Sequence, residues 1–77
     1  MAKNSFTTVA DAYGKEREPV ILKLDVAAAR ALGHKYRLPM PADDRRILLG
    51  LHRQRVRMKR CPEELRRESE NWLEANS

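Results

Sequence analysis

Residues 41–60 read PADDRRILLGLHRQRVRMKR, and this stretch decides the fold because both of its ends carry helix signals. Pro41 and two aspartates stand near the start, where a helix favours proline and negative charge. Three basic residues crowd the end, where the helix dipole favours positive charge. The stretch therefore predicts one helix of about five turns.

Winding this helix at about 100° per residue separates two sides of different chemistry. One side is an apolar stripe that should face a core: Ile47, Leu48, Leu51 and Met58. The other is a basic arc of roughly 60°, made of Arg46, Arg53, Arg57 and Arg60. A basic arc of this kind can be simply the solvated face of a helix. However, no acidic residue falls within 45–60, and this absence favours an anionic partner. That partner would be the backbone of RNA or DNA, or an acidic protein surface.

Length and composition limit what this chain can be. Its 77 residues are 42% hydrophobic and include only four large aromatic side chains, enough for one small domain with a thin core. A deep substrate pocket would compete with that core for apolar side chains. Because no catalytic constellation is evident either, the sequence predicts a protein that is not an enzyme and binds no small-molecule substrate or cofactor.

Charge is distributed unevenly along the chain. The formal net charge is +5, but residues 41–60 are strongly basic whereas the last seventeen residues carry five acids and two bases. This asymmetry predicts an oriented surface, with one side attractive to polyanions.

The cysteine and histidines argue against a metal site. Cys61 is alone, which excludes an intramolecular disulfide and is typical of a reducing compartment. His34 and His52 have no further ligand at a suitable spacing, so no metal is predicted. Apolar runs such as residues 20–22 are far too short to span a membrane, and a cytoplasmic protein is expected.

The N-terminal region suits protein contacts. Residues 1–18 are polar and mixed in charge, and they predict a flexible arm that either frays or folds on binding. Residues 19–77 would form the folded domain. The β-branched run at 20–24 is either a short strand or part of a helix. Candidate protein-binding residues are Phe6, Val9, Tyr13, Val20 and Leu22.

The middle of the chain predicts a short helix and a rigid connector. Asp25 is a credible N-cap for a helix over 26–32, and Gly33 is the expected left-handed C-cap. Lys35 and Arg37 flank an aromatic residue that could stack on a base, with the cations holding a phosphate, or could simply cap the core. The prolines at 39 and 41 then require an extended segment.

The C-terminal region predicts a second long helix, which starts at Pro62. Its narrow stripe of Leu65, Ser69, Trp72 and Leu73 should pack antiparallel on the core-facing side of the helix at 41–60, with its glutamates exposed. The expected fold is mainly α, a small single domain of two to three helices with a flexible N-terminal arm.

Residues 27–33 look like the first helix and turn of a helix-turn-helix motif, which suggests a stand-alone DNA-binding regulator as an alternative. The two prolines that follow depart from that pattern, because they forbid helix where a recognition helix should begin. A major-groove reader would have to use the long basic helix itself.

The chain resembles the small RNA-polymerase-binding regulators of Xanthomonas-infecting bacteriophages. The features that carry this resemblance are the arm, the apolar run at 20–24, the alanine helix, the arginine-rich helix and the acidic tail. The resemblance covers most of the chain but rests on size and charge layout. It implies binding to the polymerase β′ subunit in the host cytoplasm, inhibition of initiation and antitermination of transcription. The apolar N-terminal residues would then dock on protein and the basic arc on nucleic acid.

Overall fold

The computed structural model describes the backbone of residues 5–76 and the side chains of residues 13–76. Within this part the protein is mainly α, as the sequence predicts, and no described residue lies in a strand. Four helices follow one another: α1 (Ser5–Lys23), α2 (Val26–Lys35), α3 (Asp44–Arg57) and α4 (Glu63–Ala75). The described chain therefore has one helix more than the expected upper number.

The central helix is α3, which packs against each of the other three. Its residues Ile47 and Leu51 are buried against Val20 and Ile21 of α1. Side chains of α2 and the following connector close this core, including Leu32 and Met40. The predicted apolar stripe is thus confirmed, with its outer members half-buried.

The first helix runs through Pro19 and includes most of the segment for which a strand was an alternative. Proline removes one helical hydrogen bond, yet α1 continues to Lys23 and buries Val20 and Ile21 on α3, so the strand alternative is wrong. The helix also includes residues that the sequence assigns to the arm. Tyr13 and Glu16 contact α2, so the packed domain begins before residue 19.

Two left-handed residues end the first two helices, and neither is glycine. Leu24 has φ 53° and Arg37 has φ 55°. After each, the backbone N–H groups bond back in the Schellman pattern: Asp25 to Val20 O at 3.1 Å, and Leu38 to Gly33 O at 2.8 Å. The chain therefore reverses tightly at both points.

The expected C-cap at Gly33 is wrong, because α2 continues through Lys35. Gly33 is buried inside the helix, where a β-carbon would collide with the side chain of Met40. The glycine is needed for this close approach of the connector. It has no positive φ.

The connector between α2 and α3 is held by Arg30. Its guanidinium donates to the carbonyl oxygens of Pro41 and Ala42, at 3.2 and 3.3 Å, and pairs with Asp44 in the first turn of α3. Asp43 caps α3 by accepting from Arg45 N at 2.9 Å. These contacts fix where the basic helix starts.

The interface between α3 and α4 is polar at its centre, and its contacts confirm the predicted antiparallel pairing. The predicted docking on the core-facing side is wrong, because α4 contacts His52 and Arg55 and contributes no described residue to the apolar core cluster. Ser69 is fully buried and lies 2.9 Å from His52 Nδ1. The His52 ring stacks on Trp72, with centroids 4.1 Å apart. Burial of the imidazole lowers the pKa of His52, and the nearby positive charge of Arg55 lowers it further.

Arg55 joins three helices and is only 3% exposed. Its Nε donates to Ile21 O at 3.1 Å and one Nη donates to Leu22 O, so it satisfies carbonyls at the end of α1. The other Nη pairs with Glu68 of α4 at 2.8 Å. This arginine is therefore a structural residue.

Candidate nucleic-acid interface

Three arginines lie along the outward side of α3. Arg46, Arg53 and Arg57 are seven and four residues apart, which keeps them on one side of the helix, and all three are exposed. The helix ends at Arg57, so Arg60 lies in the turn before α4 and outside the helical arc. The predicted basic arc is thus correct for three of its members and wrong for Arg60, because the chain leaves helical geometry at Met58.

No ion pair joins these three arginines to a carboxylate among the described residues, and four of the described acids pair with other cations. Asp44 pairs with Arg30 and Glu16 pairs with Lys35. On α4, Glu68 pairs with Arg55 and Glu63 with Arg67. Unpaired guanidinium groups on a rigid helix favour phosphate or carboxylate ligands.

A fourth arginine, Arg17 of α1, extends this side of the molecule. It lines an outer groove of about 470 Å³ together with Arg57, and an inner pocket of about 200 Å³ together with Arg46. Arg17 also lies over the ring of Tyr13, 5.2 Å from its centroid. We define the arginine surface as Arg17, Arg46, Arg53 and Arg57.

Arg17 is not among the residues predicted from the sequence, because residues 1–18 predict a flexible arm. The available signal was the spacing of four between Tyr13 and Arg17, which places both side chains on one side of a continuous helix. Only the packing of α1 on α3 brings Arg17 beside the arginines of the basic arc.

The basic segment after Gly33 is largely occupied by internal contacts. Lys35 Nζ donates to Glu16 at 2.6 Å, and the Tyr36 hydroxyl donates to the same carboxylate. The hydrogen bond from Lys35 lowers the pKa of Glu16, and that carboxylate in turn raises the pKa of Lys35 and of Tyr36. The charge of Lys35 is therefore compensated, whereas Arg37 is exposed.

The ring of Tyr36 makes an edge-to-face contact with Tyr13 at 4.9 Å. The sequence offers two roles for Tyr36, stacking on a base or capping the core. Its packing on Tyr13 fits the second role. Tyr36 joins α2 to α1 at one end of the arginine surface.

The candidate protein-binding residues fall into three groups. The side chains of Phe6 and Val9 lie outside the described residues. Val20 is 8% exposed within the core, so it is not available for docking and its assignment is wrong. Tyr13 and Leu22 are half-buried. The helix instead places Val20 in the core against α3.

Among residues 13–76, no three His, Cys, Asp or Glu side chains are grouped in a way that could hold a metal ion. No described helix combines the length and the apolar character needed to cross a bilayer. Cys61 is buried beside the turn between α3 and α4. Comparison with protein-family models, with curated proteins and with solved structures finds no match.

Proposed function

We propose that this protein is a non-enzymatic transcription regulator that binds RNA polymerase in a host cytoplasm and places its arginine surface on the adjacent nucleic-acid backbone. The observation that supports nucleic-acid binding is the set of exposed arginines on α3 that no described carboxylate neutralises. The polymerase, its β′ subunit and the effects on initiation and termination are proposed from the resemblance in size and charge layout.

The arginine surface suits a phosphate backbone for geometric reasons. Arg53 and Arg57 lie one helical turn apart, so their guanidinium groups can contact neighbouring phosphates of one strand. Contacts of this kind fix the position of a nucleic acid but read no sequence. Affinity should therefore depend strongly on salt and only weakly on sequence.

Replacing Arg53 and Arg57 together with glutamine tests this proposal. Both side chains are exposed, so the free energy of unfolding should change by less than about 0.5 kcal/mol per site. Affinity for a single-stranded oligonucleotide, measured by fluorescence anisotropy against salt, should fall. The slope of log K against log salt should become flatter by roughly 1.4, because two fewer counterion-releasing contacts remain.

Arg67→Gln is the matched control, since Arg67 is an exposed arginine on the glutamate-bearing side of α4. It should change neither affinity nor slope. Arg53→Gln alone removes one charge, as Arg67→Gln does, and should weaken binding. If Arg67→Gln weakens binding to the same extent, the effect is one of net charge and the arginine surface is not the site.

The polymerase is tested separately by affinity capture from bacterial lysate at low salt. Recovery of the β′ subunit by the native chain, and by the Arg53→Gln/Arg57→Gln variant, would support separate protein-binding and nucleic-acid-binding surfaces. Failure of the folded native chain to recover any polymerase subunit would contradict the polymerase part of the proposal.

A stand-alone DNA-binding regulator is the second candidate, because α3 presents its arginines on a single exposed side that could enter a groove. The long proline-containing connector between α2 and α3 argues against a helix-turn-helix. Sequence-selective duplex binding that survives competitor DNA in a gel shift would favour this candidate over the first.

A further inference from the structure

The inner pocket lies between α1, α2 and α3, directly behind the arginine surface. Its walls are mainly apolar and include Val20, Ile47 and Leu51, while Arg17 and Arg46 line it as the charged members. Its volume of about 200 Å³ is below the roughly 300 Å³ at which pockets begin to hold drug-sized ligands. One ring system therefore suits it better than a whole nucleotide or a folded peptide.

A residue that lines the pocket carries a buried hydrogen-bond acceptor without a partner. Gln54 lines both the inner pocket and the outer groove, and its Oε1 is buried with no hydrogen-bond partner among the described residues. A buried polar atom of this kind is costly unless a ligand or water satisfies it. A ligand that carries an N–H group would supply the missing donor.

A glycine keeps this pocket open. Gly50 lies in the interior of α3 and lines the pocket, although glycine is among the least favourable residues for a helix. A β-carbon at Gly50 would have no heavy atom within 4 Å. Close helix packing therefore does not require this glycine, in contrast to Gly33, and its effect is to leave space for an occupant.

We propose that the inner pocket takes one unstacked base of a single-stranded nucleic acid whose phosphates lie on the arginine surface. This inference rests on the proposed function and names the form of its ligand. A base supplies a flat apolar ring and N–H donors on its edge, which match the apolar walls and Gln54 Oε1. Arg17 and Arg46 line the same pocket and would hold the flanking phosphates.

Duplex nucleic acid does not fit this arrangement equally well, because its bases are stacked and paired and would have to be flipped out at a cost. Tyr13 also lines the pocket, and it offers an aromatic ring beside the Arg17 guanidinium. Such an aromatic and cationic pair is a common platform for a single base.

The test compares two single strands of equal length and equal phosphate charge, one with bases and one with abasic sugars throughout. The native chain should bind the strand with bases about 10-fold more tightly, which is the range that one base stacked on an aromatic side chain provides. Equal affinity for the two strands would overturn the base pocket while leaving the phosphate-binding proposal intact. If neither strand binds, the proposed function fails and this inference fails with it.

Gly50→Leu places a side chain inside the pocket and should abolish the difference between the two strands, while binding of the abasic strand persists. Gly14→Leu is the matched control, because Gly14 also lies in a helix with open space at its β-carbon but lines the outer groove. It should preserve the ratio of the two affinities. Gln54→Met should reduce that ratio, since it removes the acceptor at similar size.

If Gly50→Leu leaves the ratio of the two affinities unchanged, whether or not both affinities fall, the pocket does not hold a base. Circular dichroism and thermal unfolding of each variant confirm that the compared chains are folded. Both leucine variants replace glycine by a better helix former, so folding should be maintained.

Discussion

The two sides of α3 pack against the neighbouring helices with different kinds of side chain. Towards α1 and α2, α3 presents apolar side chains and leaves a pocket with an unpaired acceptor at Gln54. Towards α4, it presents His52 and Arg55, whose polar groups contact Ser69 and Glu68. The contrast indicates that buried polar side chains join α3 to α4, whereas apolar side chains join α3 to α1 and α2.

Arginine shows the difference most directly, since α3 uses the same residue type for both purposes. Arg55 is buried and bonded to α1 and α4, but Arg53 and Arg57, two positions before and after it, are exposed. The direction of the side chain decides the role, because two residues along a helix correspond to about 200° of rotation.

Removing Arg55 should produce the largest loss of stability. Arg55→Leu leaves the carbonyls of Ile21 and Leu22 without their side-chain donors and should lower the free energy of unfolding by about 3 kcal/mol. Arg53→Leu makes the same change on the exposed side and should cost less than about 0.5 kcal/mol. Urea denaturation measures both, and equal losses would contradict the division of roles between the two arginines.

Acidification should weaken the α4 side through His52. Its pKa is lowered in the folded protein from a usual value of 6.5, so the unfolded chain binds a proton first as the pH falls. The contribution of neutral His52 to stability is therefore fully present above about pH 6.5. It is lost as the pH falls from that value through the folded pKa of His52.

Chemical denaturation at several pH values measures this loss. His52→Gln should flatten the dependence in that range, whereas His34→Gln, at an exposed position, should leave it unchanged. A native chain with the same pH dependence as the His52→Gln variant would contradict the assignment to His52.

The smallest of these effects should be a gain in stability. Arg37 has a left-handed backbone, which costs a residue with a β-carbon about 1 kcal/mol relative to glycine. Arg37→Gly should therefore raise the melting temperature by several degrees, while Arg37→Ala should not. A lower melting temperature for Arg37→Gly than for Arg37→Ala would contradict the predicted strain at residue 37.

The sequence was sufficient to predict the regular part of this fold and insufficient for its junctions. Dipole-matched charges and 3.6-residue periodicity identified α3, its core side and its pairing with α4. They could not show that helix continues through Pro19, because the burial of Val20 and Ile21 outweighs the local preference of proline. Gly33 was misread for a similar reason, since its close contact with Met40 depends on tertiary packing.

The residues of the candidate site also fall into two groups, those positioned by a single helix and those positioned by the packing of several helices. Arg46, Arg53 and Arg57 were predictable because one helix sets their relative positions. Arg17 was not, because it reaches the arginine surface only through the packing of α1 on α3. The inner pocket and the unpaired Gln54 oxygen likewise depend on three helices at once, which no local pattern encodes.

The bonds of Arg55 have a consequence for how the chain comes apart. A single guanidinium ties the last turn of α1 to Glu68 in the acidic C-terminal helix, so these distant segments should open together rather than separately. Amide hydrogen exchange in the last turn of α1 should then report on the integrity of α4. Proteolytic trimming of the C-terminal helix would leave a buried charge uncompensated, so this helix is an integral part of the folding unit rather than a removable acidic tail.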